Sequence, residues 1–137
     1  MPPDQARIAE ARPWFVKADH DLRAAGVLLA ATPPLLGEAA YHCQQAAEKS
    51  LKGYLSWLDL PFGKTHDLAA IGGLCVANDA SLEPVCLRAD RLSVFVWAFR
   101  YPGDPEEPTR TEVEGALALA REVYEAMLAK LPPELRP

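Results

Sequence analysis

Apolar residues recur at alternating steps of three and four along most of this chain, which is the spacing of amphipathic α-helices. Two long helices are predicted, from about Pro13 to Ala31 and from about Leu36 to Leu58, with a Thr-Pro-Pro break between them. Proline suits the first helical position, so Pro13 is expected to open the first helix. The core positions are Phe15, Ala18, Leu22, Ala25 and Leu29, then Ala40, Cys43, Ala47, Leu51, Tyr54 and Leu58. Four charged residues of the first helix fall off its apolar stripe: Lys17, Asp19, Asp21 and Arg23.

Capping residues mark a third and a fifth helix. The third is predicted from Leu68 to about Ala77, with Thr65 or Asp67 as its N-cap. The fifth follows the proline-rich loop RYPGDPEEPT and is expected to begin at a capping box formed by Thr111 and Glu114. Its core positions are Val113, Leu117, Ala120, Tyr124, Met127 and Leu131.

The segment from Pro84 to Phe99 has two interpretations. Its SVFVWAF stretch is β-branched and aromatic, as in a strand. However, Leu92, Phe95, Val96 and Phe99 follow helical spacing, so a fourth helix is predicted. Val94 to Phe99 are all apolar and would encircle a helix. Either this helix is buried inside the monomer, or a second copy covers its outer face, and a symmetric dimer is the commonest such assembly.

Five helices with short connections predict an all-α fold, an up-and-down four-helix bundle with one additional short helix. The 137 residues fit a single domain. It is divided into an N-terminal extension (1–12), the bundle (13–131) and a C-terminal tail (132–137) that is expected to fray. No run approaches the roughly 20 apolar residues of a membrane span, and no secretory leader is recognised. We therefore expect a cytoplasmic protein without a membrane partner.

Charge and cysteine content restrict the function classes. A net charge of -5 argues against a broad electrostatic grip on nucleic acid, although a local basic pocket remains compatible with it. The three cysteines, Cys43, Cys75 and Cys86, form no C-x-x-C pair and fit a reducing compartment. All three have apolar neighbours, so we expect buried thiols.

Gln44, Glu48 and Lys52 stand at i, i+4 and i+8, and form one ridge beside the core stripe of the second helix. Glu48 and Lys52 have the favourable order for a helical ion pair. The ridge is either a solvated helix face or the polar rim of a cleft, with Gln45 and Lys49 one step around the helix.

The histidines are His20, His42 and His66, and no two have metal-ligand spacing on one helix. We therefore expect no metal and no cofactor. His66 stands at a helix start, where a role in stabilising the turn is favoured over catalysis. His42 flanks the core stripe and is expected to be a packing residue with its hydrogen bonds satisfied. Motifs of serine hydrolases, P-loops and dinucleotide sites are absent from the sequence.

Arg100 and Tyr101 directly follow the apolar run and precede Pro102. One interpretation is that Arg100 binds the last carbonyls of its own helix. In the other, Arg100 presents a bidentate guanidinium to a phosphate in a groove beside a dimer axis.

Four motifs together resemble the HEPN domain family: ADHDL (18–22), YHCQQAAEKSLKGYL (41–55), KTHDL (64–68) and RYP (100–102). The resemblance covers about Trp14 to Leu131. It implies a bundle of four long helices plus a short one, usually a homodimer. Prokaryotic members are often encoded beside a minimal nucleotidyltransferase, as a toxin–antitoxin pair or a related complex, and many members are metal-independent ribonucleases.

The ribonucleases of the family resemble one another in an arginine followed, after four to six residues, by a histidine. Arginine stabilises charge on the phosphate, and histidine transfers protons. After Arg100, the corresponding window holds Pro105, Glu106 and Glu107, and no histidine follows His66. The catalytic signature is therefore missing, and no catalytic residue is assigned.

These observations favour a non-catalytic, dimeric accessory subunit that binds a minimal nucleotidyltransferase and a nucleotide or other anion near Arg100. One alternative is a ribonuclease with an altered site, in which Arg100 and Tyr101 act with His42 or His66 on RNA. Another is a helical scaffold without a ligand. The candidate ligand-binding residues are Arg100, Tyr101, Gln44, Glu48, Lys52 and His66.

Overall fold

Five α-helices make up the fold in the computed structural model, which describes residues 4–96, 98–99, 101–103 and 106–137. They are α1 (Gln5–Ala30), α2 (Leu36–Trp57), α3 (Leu68–Asn78), α4 (Glu83–Ala89) and α5 (Arg110–Leu128). Three 3₁₀ helices, at Ala80–Leu82, Asp90–Val96 and Pro133–Leu135, complete the regular structure. No strand occurs in the described residues, and the predicted all-α bundle is confirmed.

Helix α2 lies at the centre and packs against α1, α3, α5 and the 3₁₀ helix Asp90–Val96. Helices α1 and α2 run antiparallel, since the guanidinium of Arg7 donates to the carbonyl of Trp57 and so joins the first turn of one to the last turn of the other. The predicted core stripes are buried, with only their terminal positions Leu29, Leu58 and Leu131 partly exposed.

Helix α1 begins at Gln5, so the prediction that Pro13 opens it is wrong. The side chain of Asp4 accepts a hydrogen bond from the backbone N–H of Ala6 and caps the helix. Proline inside a helix removes one backbone hydrogen bond. Here the preceding turns are held by tertiary contacts, because Ala11 is fully buried and Arg7 is bound to the end of α2.

The predicted fourth helix is only partly α-helical. Helix α4 ends at Ala89, and the chain continues as a 3₁₀ helix to Val96, so neither the continuous α-helix nor the strand interpretation is correct there. Among the described residues from Ala89 to Ala98, the buried ones are Ala89, Leu92, Phe95 and Ala98, a strict spacing of three. A 3₁₀ helix has three residues per turn, so this spacing aligns them on one face toward α2.

Helix α5 begins two residues earlier than the capping box predicted from Thr111 and Glu114. The observed box pairs Thr109 with Glu112: the Thr109 hydroxyl accepts from the Glu112 N–H at 3.1 Å, and the Glu112 carboxylate accepts from the Thr109 N–H at 3.5 Å. Thr109–Glu112 and Thr111–Glu114 have the same capping-box spacing. The backbone decides between them, since Thr109 is extended, as an N-cap must be.

Replacing Thr109 with alanine is expected to lower the free energy of unfolding by about 1 kcal/mol, because one N-terminal N–H of α5 loses its acceptor. The matched control is Thr111→Ala, which lies inside the helix and is expected to change stability by less than about 0.5 kcal/mol. Chemical denaturation of both variants tests the assignment, and a larger loss for Thr111→Ala contradicts it.

The C-terminal tail is ordered, contrary to the expected fraying. Leu135 is fully buried in the core, and the 3₁₀ helix Pro133–Leu135 packs against α1. Arg136 forms two hydrogen bonds to the carboxylate of Glu125, at 3.0 and 2.6 Å. The hydrogen bonds from Arg136 lower the pKa of Glu125.

Candidate functional site

A chain of polar side chains, hereafter the Glu48 network, consists of Gln44, Gln45, Glu48, Lys52 and His66. Gln45 donates to the side-chain oxygen of Gln44 at 2.7 Å, and Gln44 donates to Glu48 at 3.2 Å. The Glu48 carboxylate also accepts from the Lys52 ammonium at 3.1 Å, and its oxygens lie 2.9 and 3.1 Å from Nδ1 of His66. Gln44, Lys52 and His66 therefore all contact the carboxylate of Glu48, which brings together four of the six candidate ligand-binding residues.

The ridge formed by Gln44, Glu48 and Lys52 lies inside the protein, so the interpretation of the ridge as a solvated helix face is wrong. Gln44, Glu48 and Lys52 are only 0%, 3% and 5% exposed. The ammonium of Lys52 also lies 5.8 Å from the ring centroid of Trp14 and 5.6 Å from that of Phe62. Cation–π attraction and the ion pair with Glu48 together compensate the buried positive charge.

The turn KTHDL positions His66 at the outer end of this network. Asp67 caps α3 by accepting from the N–H groups of Ala69 and Ala70, which confirms one of the two predicted caps. Thr65 in turn accepts from the N–H of Asp67, and Leu68 is fully buried. With its neighbours fixed, His66 reaches back to Glu48 while 63% of its side chain stays exposed.

A second polar cluster joins α1 to α2 through Asp21, and is called the Asp21 network. The carboxylate of Asp21 lies 2.7 Å from Nδ1 of His42 and 2.6 Å from the ammonium of Lys49. Asp21 is buried although it lies off the predicted apolar stripe of α1. The spacing contained the signal, because Asp21 stands three residues after buried Ala18 and four before buried Ala25.

His42 is part-buried and hydrogen-bonded to Asp21, as expected for a satisfied packing residue, and this contact also orients its ring. A carboxylate oxygen only accepts, so Nδ1 of His42 carries the proton and Nε2 is left for another partner. His42 lines a cavity of about 140 Å³ together with Glu38, Tyr41 and Phe99. A histidine held in this way has the chemical capacity to exchange a proton at Nε2.

The remaining two candidates follow the 3₁₀ helix Asp90–Val96 in the sequence. Tyr101 is exposed in the turn that comes after Phe99. Arg100 is outside the described residues, and so is Trp97 of the apolar run. The Glu48 network is therefore built from the other four candidates, Gln44, Glu48, Lys52 and His66, together with Gln45.

The described residues contain no group of three or more His, Cys, Asp or Glu side chains arranged to hold a metal ion. Within the same residues, no helix has both the length and the apolar content that crossing a bilayer demands. The three cysteines are buried and unbridged, as expected for ordinary thiols. Burial raises the pKa of the Cys43 thiol to about 12.

Comparison with solved structures finds a similar fold in the crystal structure of the protein TT1696 from Thermus thermophilus. The two chains superpose with a TM-score of 0.75 and are 30% identical, over 88% of this chain and 98% of that one. Comparison with curated protein sequences finds no match. The sequence profile of the HEPN domain matches residues 11–131, and this range includes α2, the KTHDL turn and both polar networks. This chain therefore belongs to the HEPN domain family.

Proposed function

We propose that this protein is a non-catalytic, dimeric HEPN subunit that acts as the accessory partner of a minimal nucleotidyltransferase. One observation carries this proposal: the polar side chains of the family motifs are paired with one another. Among the described residues, no buried side-chain nitrogen or oxygen lacks a hydrogen-bond partner. Side chains engaged in this way stabilise the bundle, which suits a binding subunit better than an enzyme.

The proposed ligand is a nucleotide or another anion, with Arg100, Tyr101 and His66, the exposed end of the Glu48 network, as its candidate contacts. Charge balance supports the participation of His66. Lys52 already neutralises Glu48, so a protonated His66 leaves one positive charge in excess at the exposed end of the network. Such a charge attracts phosphate groups, although solvent screening keeps the contribution of one histidine small.

The surface of α4 and the following 3₁₀ helix supports the proposed homodimer. Leu87 is 66% exposed and Val94 is 41% exposed, although both are large apolar residues. We place these two side chains in the proposed contact, because association would remove from water apolar surface that the monomer leaves exposed. Val94 is the first residue of the apolar run from which the dimer was predicted, and the structure describes it.

Replacing Val94 with aspartate is expected to convert the dimer to a monomer, because the contact would bury an unpaired charge. Sedimentation velocity measures the change. The matched control is Val27→Asp, which places the same charge at an exposed valine of α1 and is expected to leave a dimer. A monomeric wild-type protein, or a Val94→Asp protein that remains dimeric, contradicts the proposed interface.

The partner is tested with the product of any nucleotidyltransferase gene next to the gene for this protein. Size-exclusion chromatography of the two purified proteins is expected to give one complex, and the Val27→Asp control is expected to form it as well. Separate elution of the two proteins at micromolar concentration overturns the accessory role.

A metal-independent ribonuclease toxin is the second candidate, and the orientation of His42 by Asp21 favours it. His42 shares its cavity with Phe99, which immediately precedes Arg100 in the sequence. Labelled RNA incubated with pure protein in a chelator tests this alternative. Cleavage that His42→Asn abolishes and His20→Asn leaves intact would support it, whereas uncleaved RNA with wild-type protein removes it.

A further inference from the structure

Helices α1 and α5 border a cavity that receives charged side chains from both helices. Its volume is about 340 Å³, and it is lined by Asp19, Leu22 and Arg23 of α1 and by Arg121, Tyr124 and Glu125 of α5. On each helix these positions are i, i+3 and i+4, which share one face. Leu22 and Tyr124 are buried, whereas both arginines are exposed.

Tyr124 brings to this cavity a hydroxyl group without a hydrogen-bond partner. The residue is only 6% exposed, and its ring packs edge-on against Phe15. The hydroxyl forms no hydrogen bond with any residue that the structure describes. Within those residues, no fully buried side-chain nitrogen or oxygen lacks a partner, so this oxygen is accessible from the cavity that Tyr124 lines. Buried tyrosine hydroxyls usually find a hydrogen-bond partner, and here that partner has to come from the cavity.

Two guanidinium groups at the cavity are also unpaired. Arg23 and Arg121 form no ion pair or hydrogen bond with the described residues, although Asp19 and Glu125 each stand four residues from one of them. The carboxylate of Glu125 is bound instead by Arg136, at 3.0 and 2.6 Å. Asp19 has no ion pair in the described part of the chain. The unpaired groups therefore carry two positive charges and one negative charge.

We propose that this cavity binds a small phosphate monoester, with its phosphate group held by Arg23, Arg121 and the hydroxyl of Tyr124. A guanidinium presents its N–H groups as a planar fork that matches two oxygens of a phosphate. Two such forks and one hydroxyl supply more donors than the roughly four acceptor sites of a carboxylate ligand can use. Asp19 is left to accept a hydrogen bond from a hydroxyl group of the ester.

Charge and volume favour a small soluble ester over a phosphate of a membrane or a nucleic acid. The net charge of -5 disfavours contact with extended polyanionic surfaces. The volume of about 340 Å³ is near the lower end of the range of about 300–1,000 Å³ that is typical of ligand sites. The cavity shares no residue with the proposed nucleotide contacts Arg100, Tyr101 and His66, so the two sites are independent of each other.

Titration of isotopically labelled protein with glycerol phosphate and with inorganic phosphate tests the site. The side-chain N–H signals of Arg23 and Arg121 in NMR spectra are expected to shift in a saturable way with both compounds. Glycerol alone is expected to leave these signals unchanged. Glycerol phosphate is expected to bind more tightly than inorganic phosphate, because Asp19 contacts its hydroxyl groups. The absence of a saturable shift up to about 10 mM of either compound overturns the proposal.

Four variants separate the roles of the side chains. Arg23→Gln and Arg121→Gln are each expected to weaken the binding of inorganic phosphate about tenfold, because a hydrogen bond between charged groups is lost. Tyr124→Phe is expected to weaken it about two- to tenfold without lowering the melting temperature, because the hydroxyl has no hydrogen bond to lose within the protein. Asp19→Asn is expected to tighten it, because a negative charge next to the anion is removed.

Arg12→Gln is the matched control, since Arg12 is an exposed arginine of α1 that does not line the cavity. It is expected to leave phosphate binding unchanged, and a loss equal to that of Arg23→Gln overturns the proposed site. A Tyr124→Phe protein with a lower melting temperature shows that the hydroxyl is structural and contradicts its role in binding. Weaker phosphate binding by Asp19→Asn, or equal affinities for the two phosphate compounds, overturns the assignment of the ester.

Discussion

Replacing Glu48 with glutamine is expected to lower the free energy of unfolding by about 3–5 kcal/mol, the loss typical of a buried ion pair that loses one partner. The carboxylate is the only negative group bound by Lys52, whose side chain is 7% exposed, in the described part of the chain. Without that charge, the ammonium stays buried and uncompensated. One of the two oxygens that Gln44, Lys52 and His66 share is also replaced by an NH₂ group, which cannot accept a hydrogen bond. Urea denaturation of the variant measures the loss.

A surface ion pair provides the matched control for this prediction. Glu125→Gln removes a carboxylate bound by Arg136, but more than half of each side chain is exposed. Exposed pairs contribute little, so this variant is expected to lose less than about 1 kcal/mol. The double variant Glu48→Gln with Lys52→Met is expected to be more stable than Glu48→Gln alone, because it removes the uncompensated charge. A Glu48→Gln loss no larger than that of Glu125→Gln contradicts the structural role of the Glu48 network.

Replacing Gly53 with alanine is expected to destabilise the protein by about 1–3 kcal/mol, because the core cannot accept another methyl group there. A Cβ at this position would lie 2.6 Å from Cε2 and 2.9 Å from Cζ of Phe15. Phe15 is fully buried and also packs edge-on against Tyr124, with ring centroids 6.2 Å apart. The ring therefore has no free space to move into, and α1 and α2 must separate.

Gly26 of α1 provides the control, since a Cβ there would meet nothing within 4 Å. Gly26→Ala is expected to stabilise the protein by about 0.5–1 kcal/mol through helix propensity alone. Thermal unfolding should therefore show a lower melting temperature for Gly53→Ala and a higher one for Gly26→Ala, although both replace a helical glycine with alanine. Adding Phe15→Leu to Gly53→Ala should recover part of the loss, because the two sites share one volume. A stabilised Gly53→Ala protein contradicts the close packing of α1 against α2.

The sequence predicted a helix well where its bounds depend on residues close together in the chain, namely the spacing of apolar residues and the capping side chains. The helical spacing placed α2 and α3 nearly at their observed ends, and Asp67 was predicted as a cap from its side-chain chemistry. The end of α4 was not predicted because a spacing of three and a helical spacing overlap in a short apolar segment. Only contact with α2 selects Leu92, Phe95 and Ala98 as the buried set.

The candidate site was less predictable from the sequence than the helices were, because its contacts join residues that are far apart in the chain. The motifs around Glu48 and His66 were recognised in the sequence, but their mutual contact was not, since 18 residues separate the two. Asp21 and Lys49 were missed as a pair for the same reason, because 28 residues separate them in the sequence. Helical periodicity identifies one apolar face of a helix. A central helix such as α2 is covered on several faces, so polar residues outside its apolar stripe are buried as well.

The amino-acid sequence by itself determined the all-helical fold, the family and the absence of the catalytic arginine–histidine spacing, because these depend on residue types at short separations. Only the tertiary structure decided that Gln44, Glu48 and Lys52 are buried and that His66 contacts Glu48. The physical reason is that burial and pairing depend on which distant segment packs on each face. For α2, those segments include α1, α5 and α3, and their positions follow from the packing of the whole core.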